Sequence, residues 1–243
     1  MNIQPQVGAM LFAAGLGTRL KPFTNTHPKA MALVNGKPLL QHNIEKLRNA
    51  GITFIVINVH HFAEQIIDFL ALNNNFGCTI VISHETPNVL ETGGGLAFAA
   101  HHFTMPHILI VNCDILSTIN YAQLIVQHIS CNNDATLAVT DRVTSRNLLF
   151  NDATNLVGWC NTATNETKLP IPCPYPISKA FSGIHIIKKT LINAITQQGK
   201  FSMIDVYLDL CTTLQIKHYD HSNDILVDVG KPEAIVEAEK NFN

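Results

Sequence analysis

The sequence predicts an α/β protein of three layers, α/β/α, with a mostly parallel central sheet and a small β-hairpin lobe. Up to about residue 140, short apolar runs alternate with longer amphipathic ones, the pattern of parallel strands joined by helices. Beyond residue 140 that rhythm loosens into shorter runs punctuated by turn residues and prolines, as a hairpin appended to the sheet requires.

Residues 7–14 form a near-continuous apolar run ending in glycine, and residues 52–59, 78–83, 107–112 and 135–140 repeat the theme as buried strands. Between them Pro38 suits the first residue of a helix in which Leu40, Ile44 and Leu47 share one face, and Gly51 suits its C-terminal cap. Residues 62–72, 92–103 and 121–129 read as three more helices, the first with Ile66, Ile67 and Leu70 on its apolar face.

Residues 146–150 and 156–160 then read as the two strands of the hairpin, around the turn-forming residues 151–155. Proline at every second position from Pro170 to Pro176 leaves an extended loop there. Residues 180–187 read as a strand, and residues 203–214 as a helix aligning Val206, Leu210 and Leu214. Residues 225–229 read as a last buried strand, and Gly230-Lys231-Pro232 opens a terminal helix. With no repeat and no long linker, the 243 residues are expected to form a single domain. Its halves are residues 1–140 and 141–243, approximately.

Charge and composition narrow the partners. Sixteen basic and eighteen acidic residues give 16 − 18 = −2, so neither nucleic acid nor an anionic membrane is expected, and a small molecule is. No apolar run reaches the roughly 18–20 residues of a membrane span, and the start lacks a signal-peptide pattern, so a cytoplasmic protein is expected. The six cysteines are scattered without a C-x-x-C pair and read as reduced, mostly structural thiols; the twelve histidines read as non-ligands. Oligomeric state has no signature here.

The chemistry gathers at strand ends. The first strand runs into Ala13-Ala14-Gly15-Leu16-Gly17-Thr18-Arg19, where glycines let backbone amides surround a phosphate. Leu20 stands where a dinucleotide fold needs a third glycine, and no Gly-Lys-Ser/Thr follows, so neither common phosphate loop is present. Instead Arg19 and Lys29 supply two cations beside the loop, suited to a triphosphate. Glu91, Thr92 and Gly93 open a glycine-rich turn against which a base or ribose would lie. Asp114 ends an apolar strand after Asn112 and Cys113, at the edge where α/β sheets bind ligands. Asp228 sits in a second apolar strand, where a carboxylate is costly unless paired or bound to metal. Two such aspartates suit a magnesium site completed by phosphates and water.

G-x-G-T-R-L-x-P-x-T, a short gap, P-K and G-K-P-L resemble the sugar-nucleotide pyrophosphorylases over most of the chain. Within that family the chain is most similar to short forms such as the N-acetylmuramate-1-phosphate uridylyltransferases and mannose-1-phosphate guanylyltransferase-like enzymes. The resemblance implies a Rossmann-like nucleotidyltransferase fold and a reaction of a nucleoside triphosphate with a sugar 1-phosphate, giving a nucleotide-sugar and pyrophosphate with Mg²⁺. It implies that Arg19 holds the leaving pyrophosphate and Lys29 the reacting phosphates, that Asp114 and Asp228 bind the metal, and that residues 91–93 contact the nucleotide. It also implies that Ser182 and Gly183 border the sugar; Trp159 and Asn161, by their place near the hairpin, and Asn112 are further sugar-side candidates. Cys113 replaces the family's usual glycine. In-line attack by an already ionised phosphate needs neither a protein nucleophile nor a general base. A catalytically idle sugar-nucleotide sensor of the same fold is the alternative, and a glycosyltransferase, which would carry D-x-D where this chain has Asn112-x-Asp114, ranks last.

Overall fold

The computed structural model describes residues 7–242. Its first half runs β1 (Val7–Phe12), a short hairpin of β2 (Leu33–Val34) and β3 (Lys37–Pro38), then α1 (Leu39–Asn49) and β4 (Phe54–Val59). It continues through α2 (Ala63–Leu72), β5 (Thr79–His84), α3 (Glu91–Ala99) and β6 (His107–Asn112). Strands β5, β4, β1 and β6 lie side by side in that order, all parallel. Pro38 stands just before α1, where a missing N–H costs nothing. At the other end Gly51, with φ +83°, donates to Arg48 O at 2.9 Å while Ile52 donates to Leu47 O at 3.0 Å, closing the last turn. In α2 the buried stripe is Ala63, Ile66 and Leu70, and Ile67 lies at its margin.

The second half contains β7 (Ile115–Ser117), α4 (Tyr121–Ser130), β8 (Ala135–Thr140), β9 (Arg146–Phe150), β10 (Leu156–Asn161), β11 (Glu166–Lys168) and β12 (Ile177–Lys188). It ends with α5 (Met203–Leu210), β13 (Ile216–Asp220), β14 (Leu226–Asp228) and α6 (Pro232–Asn241). Strand β12 ties the halves together. Its C-terminal part pairs antiparallel with β6, and its first residues pair with β9, the inner strand of the β9–β10–β11 ladder. Between Phe181 and His185 its register against β8 shifts, and Gly183 there has φ +71°, which a residue with a side chain adopts only under strain.

Alternate strand residues face opposite layers, as a period of two dictates. Ala9, Leu11, Ile55 and Ile57 pack with Leu40 and Ile44 of α1, Ile66 and Leu70 of α2, Leu124 of α4 and Ala238 of α6. Met10, Val56, Ile108 and Ile110 pack on the other side with Leu96 of α3 and Val206 and Tyr207 of α5. The expected three layers and hairpin are therefore present. Strands β2, β3, β7, β11 and β13 have no counterpart in the expectation from sequence, α3 ends at Ala99 and not at residue 103, and three further details differ. The proline-rich stretch yields to β12 at Ile177, because backbone pairing with β9 begins there. Helix α5 stops at Leu210, whose carbonyl accepts N–H from both Thr213 and Leu214, closing a turn. Strand β14 pairs only with β7, outside the main sheet, so Asp228 lies beside the sheet and not within it.

Two histidines are sealed in this core. Burial pushes the His185 ring down to about 3, and neither of its nitrogens has a hydrogen-bond partner among the described residues. Burial, then His107 and Lys188, push His128 down to about 3. Both folded-state values lie below the unfolded value near 6.5, so the unfolded chain binds more protons as pH falls through that window and folding loses free energy. At about pH 5 each histidine should cost about 2 kcal/mol relative to neutral pH. Thermal melts are expected to show Tm falling from about pH 7 to about pH 5, and a smaller fall in His185→Phe; identical profiles would refute this source of acid sensitivity.

Candidate active site

Strands β1, β4 and β6 end level with one another, Phe12 lying opposite Asn58 on one side and Asn112 on the other. Beyond these ends opens a cavity of about 510 Å³ lined by Ala13, Ala14, Gly15, Lys29, Asn58, Glu91, Thr92, Asn112, Cys113 and Asp114, among others. Residues nearly 100 positions apart in sequence thus share one wall, at the carboxyl edge where open α/β sheets bind ligands.

The glycine loop owes its shape to packing as much as to flexibility. Gly17 has φ +58°, and a Cβ there would stand 2.8 Å from Lys29 Cβ and 2.9 Å from Thr24 Cγ2. The Thr24 hydroxyl donates to Gly17 O at 2.9 Å, and Leu20 N–H donates to the same carbonyl at 2.9 Å, so the loop is clamped onto the segment carrying Lys29. Thr18 begins a single 3₁₀ turn, and Arg19 beside it is exposed.

Lys29 donates to Asp114 Oδ2 in a short, partly buried ion pair. Asp114 sits on the turn between β6 and β7, fixed from three sides. Cys113 N–H donates to Phe12 O at 3.1 Å, Asn43 of α1 donates to Cys113 O at 3.0 Å, and Val229 N–H donates to Asp114 O at 2.8 Å. Cys113 is buried among core residues, and burial, reinforced by the adjacent Asp114 charge, pushes its thiol pKa up. Its bulk is accommodated in the core beneath the turn.

Asp228 ends β14 opposite Ile115, which brings it next to Asp114 in space. It opens on an adjoining recess of about 300 Å³ together with Arg19 and Lys231. A Cβ on Gly230 would stand 2.6 Å from Arg19 Nη2 and 2.8 Å from Asp228 Oδ1, so the bare backbone of Gly230 lets both groups settle on it. Asp228 Oδ1 is buried with no hydrogen-bond partner among the described residues. A hard, anionic oxygen left without a donor fits a divalent cation better than it fits a folded core.

Other sequence-predicted residues are placed differently. Ala13 N–H is already spent on Asn58 Oδ1 at 2.7 Å, while Ala14 and Gly15 after it line the cavity. Gly93 and Gly94 do not line the cavity. Their N–H groups donate to Phe201 O at 2.9 and 3.2 Å, and Cβ atoms on them would collide with Phe201 and with Gly199 O. Their smallness admits the 199–203 segment, while Glu91 and Thr92 reach the cavity wall. Glu91 does so with φ +61°, a strained conformation for a residue with a side chain. The Thr92 hydroxyl accepts Met203 N–H at 3.0 Å, tying α3 to α5.

On the sugar side, Ser182 is fully buried and its hydroxyl bonds His221 Nε2 at 2.7 Å, so it is turned away from the cavity. Gly183 packs against Asn112, whose Nδ2 would lie 2.7 Å from a Cβ there. Trp159 lies in a second groove of about 290 Å³ with Asn161, Glu166, Lys168 and Asp205; that groove and the main cavity share Arg146 and Ser202.

Sequence reasoning passed over Asn58 and Glu85. Glu85 is wholly buried; it accepts Asn58 Nδ2 at 2.7 Å and Leu90 N–H at 2.8 Å. The pair thereby joins the glycine loop, the end of β4 and the entry to α3, three borders of one cavity. Asn58 ends an apolar run as an isolated polar residue at the ligand edge, which was the available signal.

Residues 8–147 match the nucleotidyl transferase family model. Along nearly its whole length the chain is 29% identical to the N-acetylmuramate alpha-1-phosphate uridylyltransferase of Caulobacter vibrioides, covering 98% of each. It is 24% identical to the mannose-1-phosphate guanylyltransferase catalytic subunit beta of Drosophila melanogaster, over 94% of this chain and 62% of that one. The fold is similar to the crystal structure of HddC from Yersinia pseudotuberculosis complexed with GMP-PN, with a TM-score of 0.77, 23% identity and coverage of 97% and 99%. No helix among the described residues is long and apolar enough to cross a membrane.

Proposed function

Since this chain belongs to the nucleotidyl transferase family, we propose that it joins a nucleoside triphosphate to a sugar 1-phosphate, releasing pyrophosphate by magnesium-assisted in-line displacement. The observation that carries this reading is the single cavity that unites Gly15, Lys29, Glu91, Thr92 and Asp114 at the carboxyl edge of the parallel strands. Nucleotidyltransfer from a triphosphate needs phosphate-facing backbone, a cation at the reacting phosphates and a carboxylate for the metal, and each has a residue there.

The amides after Ala13 cradle the phosphates, and Lys29 balances charge at the reacting centre. Arg19, in the recess it shares with Asp228, holds the departing pyrophosphate. Asp114 and Asp228 hold the magnesium ion, which when bound supplies charge neutralisation of the phosphates. The Trp159 groove receives the sugar. The sugar 1-phosphate oxygen attacks the α-phosphorus, its bond to phosphorus forms as the bond to the bridging oxygen breaks, and no proton need move.

The relatives' names differ in the nucleotidyl group transferred, uridylyl in one and guanylyl in another, so the test is a panel. Pyrophosphate release should appear with at least one pairing of UTP, GTP, CTP or dTTP with a sugar 1-phosphate, N-acetylmuramate 1-phosphate and mannose 1-phosphate among them. Silence across the panel in the presence of magnesium would overturn the proposal.

A further inference from the structure

The main cavity and the Trp159 groove meet at two residues, Arg146 and Ser202. Ser202 is occupied, its hydroxyl accepting Ile204 N–H at 3.1 Å as the N-terminal cap of α5. Arg146 opens β9 in register with Asn161 of β10, is exposed, and forms no ion pair with an acidic side chain among the described residues.

The neighbouring cations are placed otherwise. Lys29 is held by Asp114. Lys168 lies 3.5 Å from Asp205 and 5.6 Å over the Trp159 ring. Arg19 lies in the recess of Asp228. Arg146 is therefore the uncommitted guanidinium at the boundary between the two cavities.

In a reaction of the kind proposed above, one chemical group must occupy that boundary. The acceptor's sugar ring belongs in the groove and the triphosphate in the main cavity, so the phosphate of the sugar 1-phosphate has to stop between them, beside another anion. Two phosphates driven together repel unless a cation lies between or beside them. A planar guanidinium, with paired donors matched to phosphate oxygens, suits that place better than a point charge.

Resting on that reading of the two cavities, we infer that Arg146 binds the phosphate of the sugar 1-phosphate and is a catalytic residue of the acceptor side. Its location at the outer end of a hairpin strand explains why it carries no motif. Its partner is supplied by substrate, and the strand that carries it is held in the sheet by the pairing of β9 with β12.

Binding measurements test this without requiring turnover. Wild type, Arg146→Ala and Arg146→Lys are titrated calorimetrically, in the presence of magnesium and a non-hydrolysable UTP or GTP analogue. The titrants are glucose 1-phosphate, mannose 1-phosphate, N-acetylglucosamine 1-phosphate and N-acetylmuramate 1-phosphate, each compared with its unphosphorylated sugar. The wild type should prefer the phosphorylated form of at least one sugar. Arg146→Ala should weaken that form by about 10- to 100-fold, with lysine recovering part, while free sugar and nucleotide analogue change by less than about twofold.

Three results would overturn the inference: no preference for phosphate in the wild type, a preference that survives in Arg146→Ala, or a loss confined to N-acetylmuramate and equal in its unphosphorylated form. The last would mean that Arg146 reads the sugar's carboxylate. Pyrophosphate release judges the proposed reaction separately. A protein silent in that assay whose sugar-phosphate binding still depends on Arg146 would sink the reaction and leave the binding assignment standing.

Discussion

Asp228→Ala is expected to lower turnover by about 100-fold or more with the fold intact. The reason is the position of its carboxylate. Oδ1 is buried and receives no hydrogen bond among the described residues, a burial that costs free energy in the protein alone. Removing it should therefore leave thermal stability unchanged or slightly raised in a metal-free buffer, the opposite of what loss of a structural residue does. Magnesium reverses the comparison. A ligand that binds only the folded state stabilises it by about 2.7 kcal/mol at 100 times its Kd, so wild type should gain in Tm on adding magnesium with nucleotide. Asp228→Ala should lose most of that gain. Near-normal turnover, or an undiminished magnesium-dependent shift, would remove Asp228 from the metal site.

Lys29→Ala is expected to cost about 100-fold or more in turnover, and so is Asp114→Ala, yet the double variant should be little worse than either single one. The two side chains form one ion pair on the cavity wall, with only 12% and 28% of their side-chain surfaces exposed. Once either is gone the other has lost its partner and its orientation. Stability should follow the same logic. Each single variant leaves a partly buried charge unpaired and should melt below the double variant, in which neither charge remains. Losses in turnover that simply multiply would mean that Lys29 and Asp114 act independently, and Lys29 would then serve the phosphates without Asp114 orienting it.

Much of this site was legible because its chemistry is written into short, contiguous stretches. The loop from Ala13 to Arg19, the nearby Lys29, and Asp114 at the end of an apolar strand each stand out as candidates through residue type and strand-end position. The sheet itself was legible for a similar reason. A strand buried on both faces must be apolar throughout, so β1, β4, β6 and β8 stand out from the amphipathic helices between them.

Other residues mean something only through partners distant in the chain. Gly93 and Gly94 read as a surface for the nucleotide, and their neighbours prove to be Phe201 and Gly199. Ser182 reads as a sugar contact, and the shift of register within β12 turns it onto His221. Glu85 shows nothing in sequence to distinguish it from a surface carboxylate, and only the meeting of β4, β5 and α3 buries it against Asn58.

The sequence alone thus determined the layers of the fold and marked the glycine loop, the two cations and the two aspartates as candidates, because hydrophobic period and local residue chemistry are properties of neighbours along the chain. Tertiary structure alone decided which groups share a cavity. It set Lys29 on Asp114, brought Asp228 beside Asp114 through the β14–β7 pairing, and carried Arg146 to the boundary of two cavities. The physical reason is that side-chain direction depends on strand register and on the elements packed above it, and both are fixed only when distant segments pair.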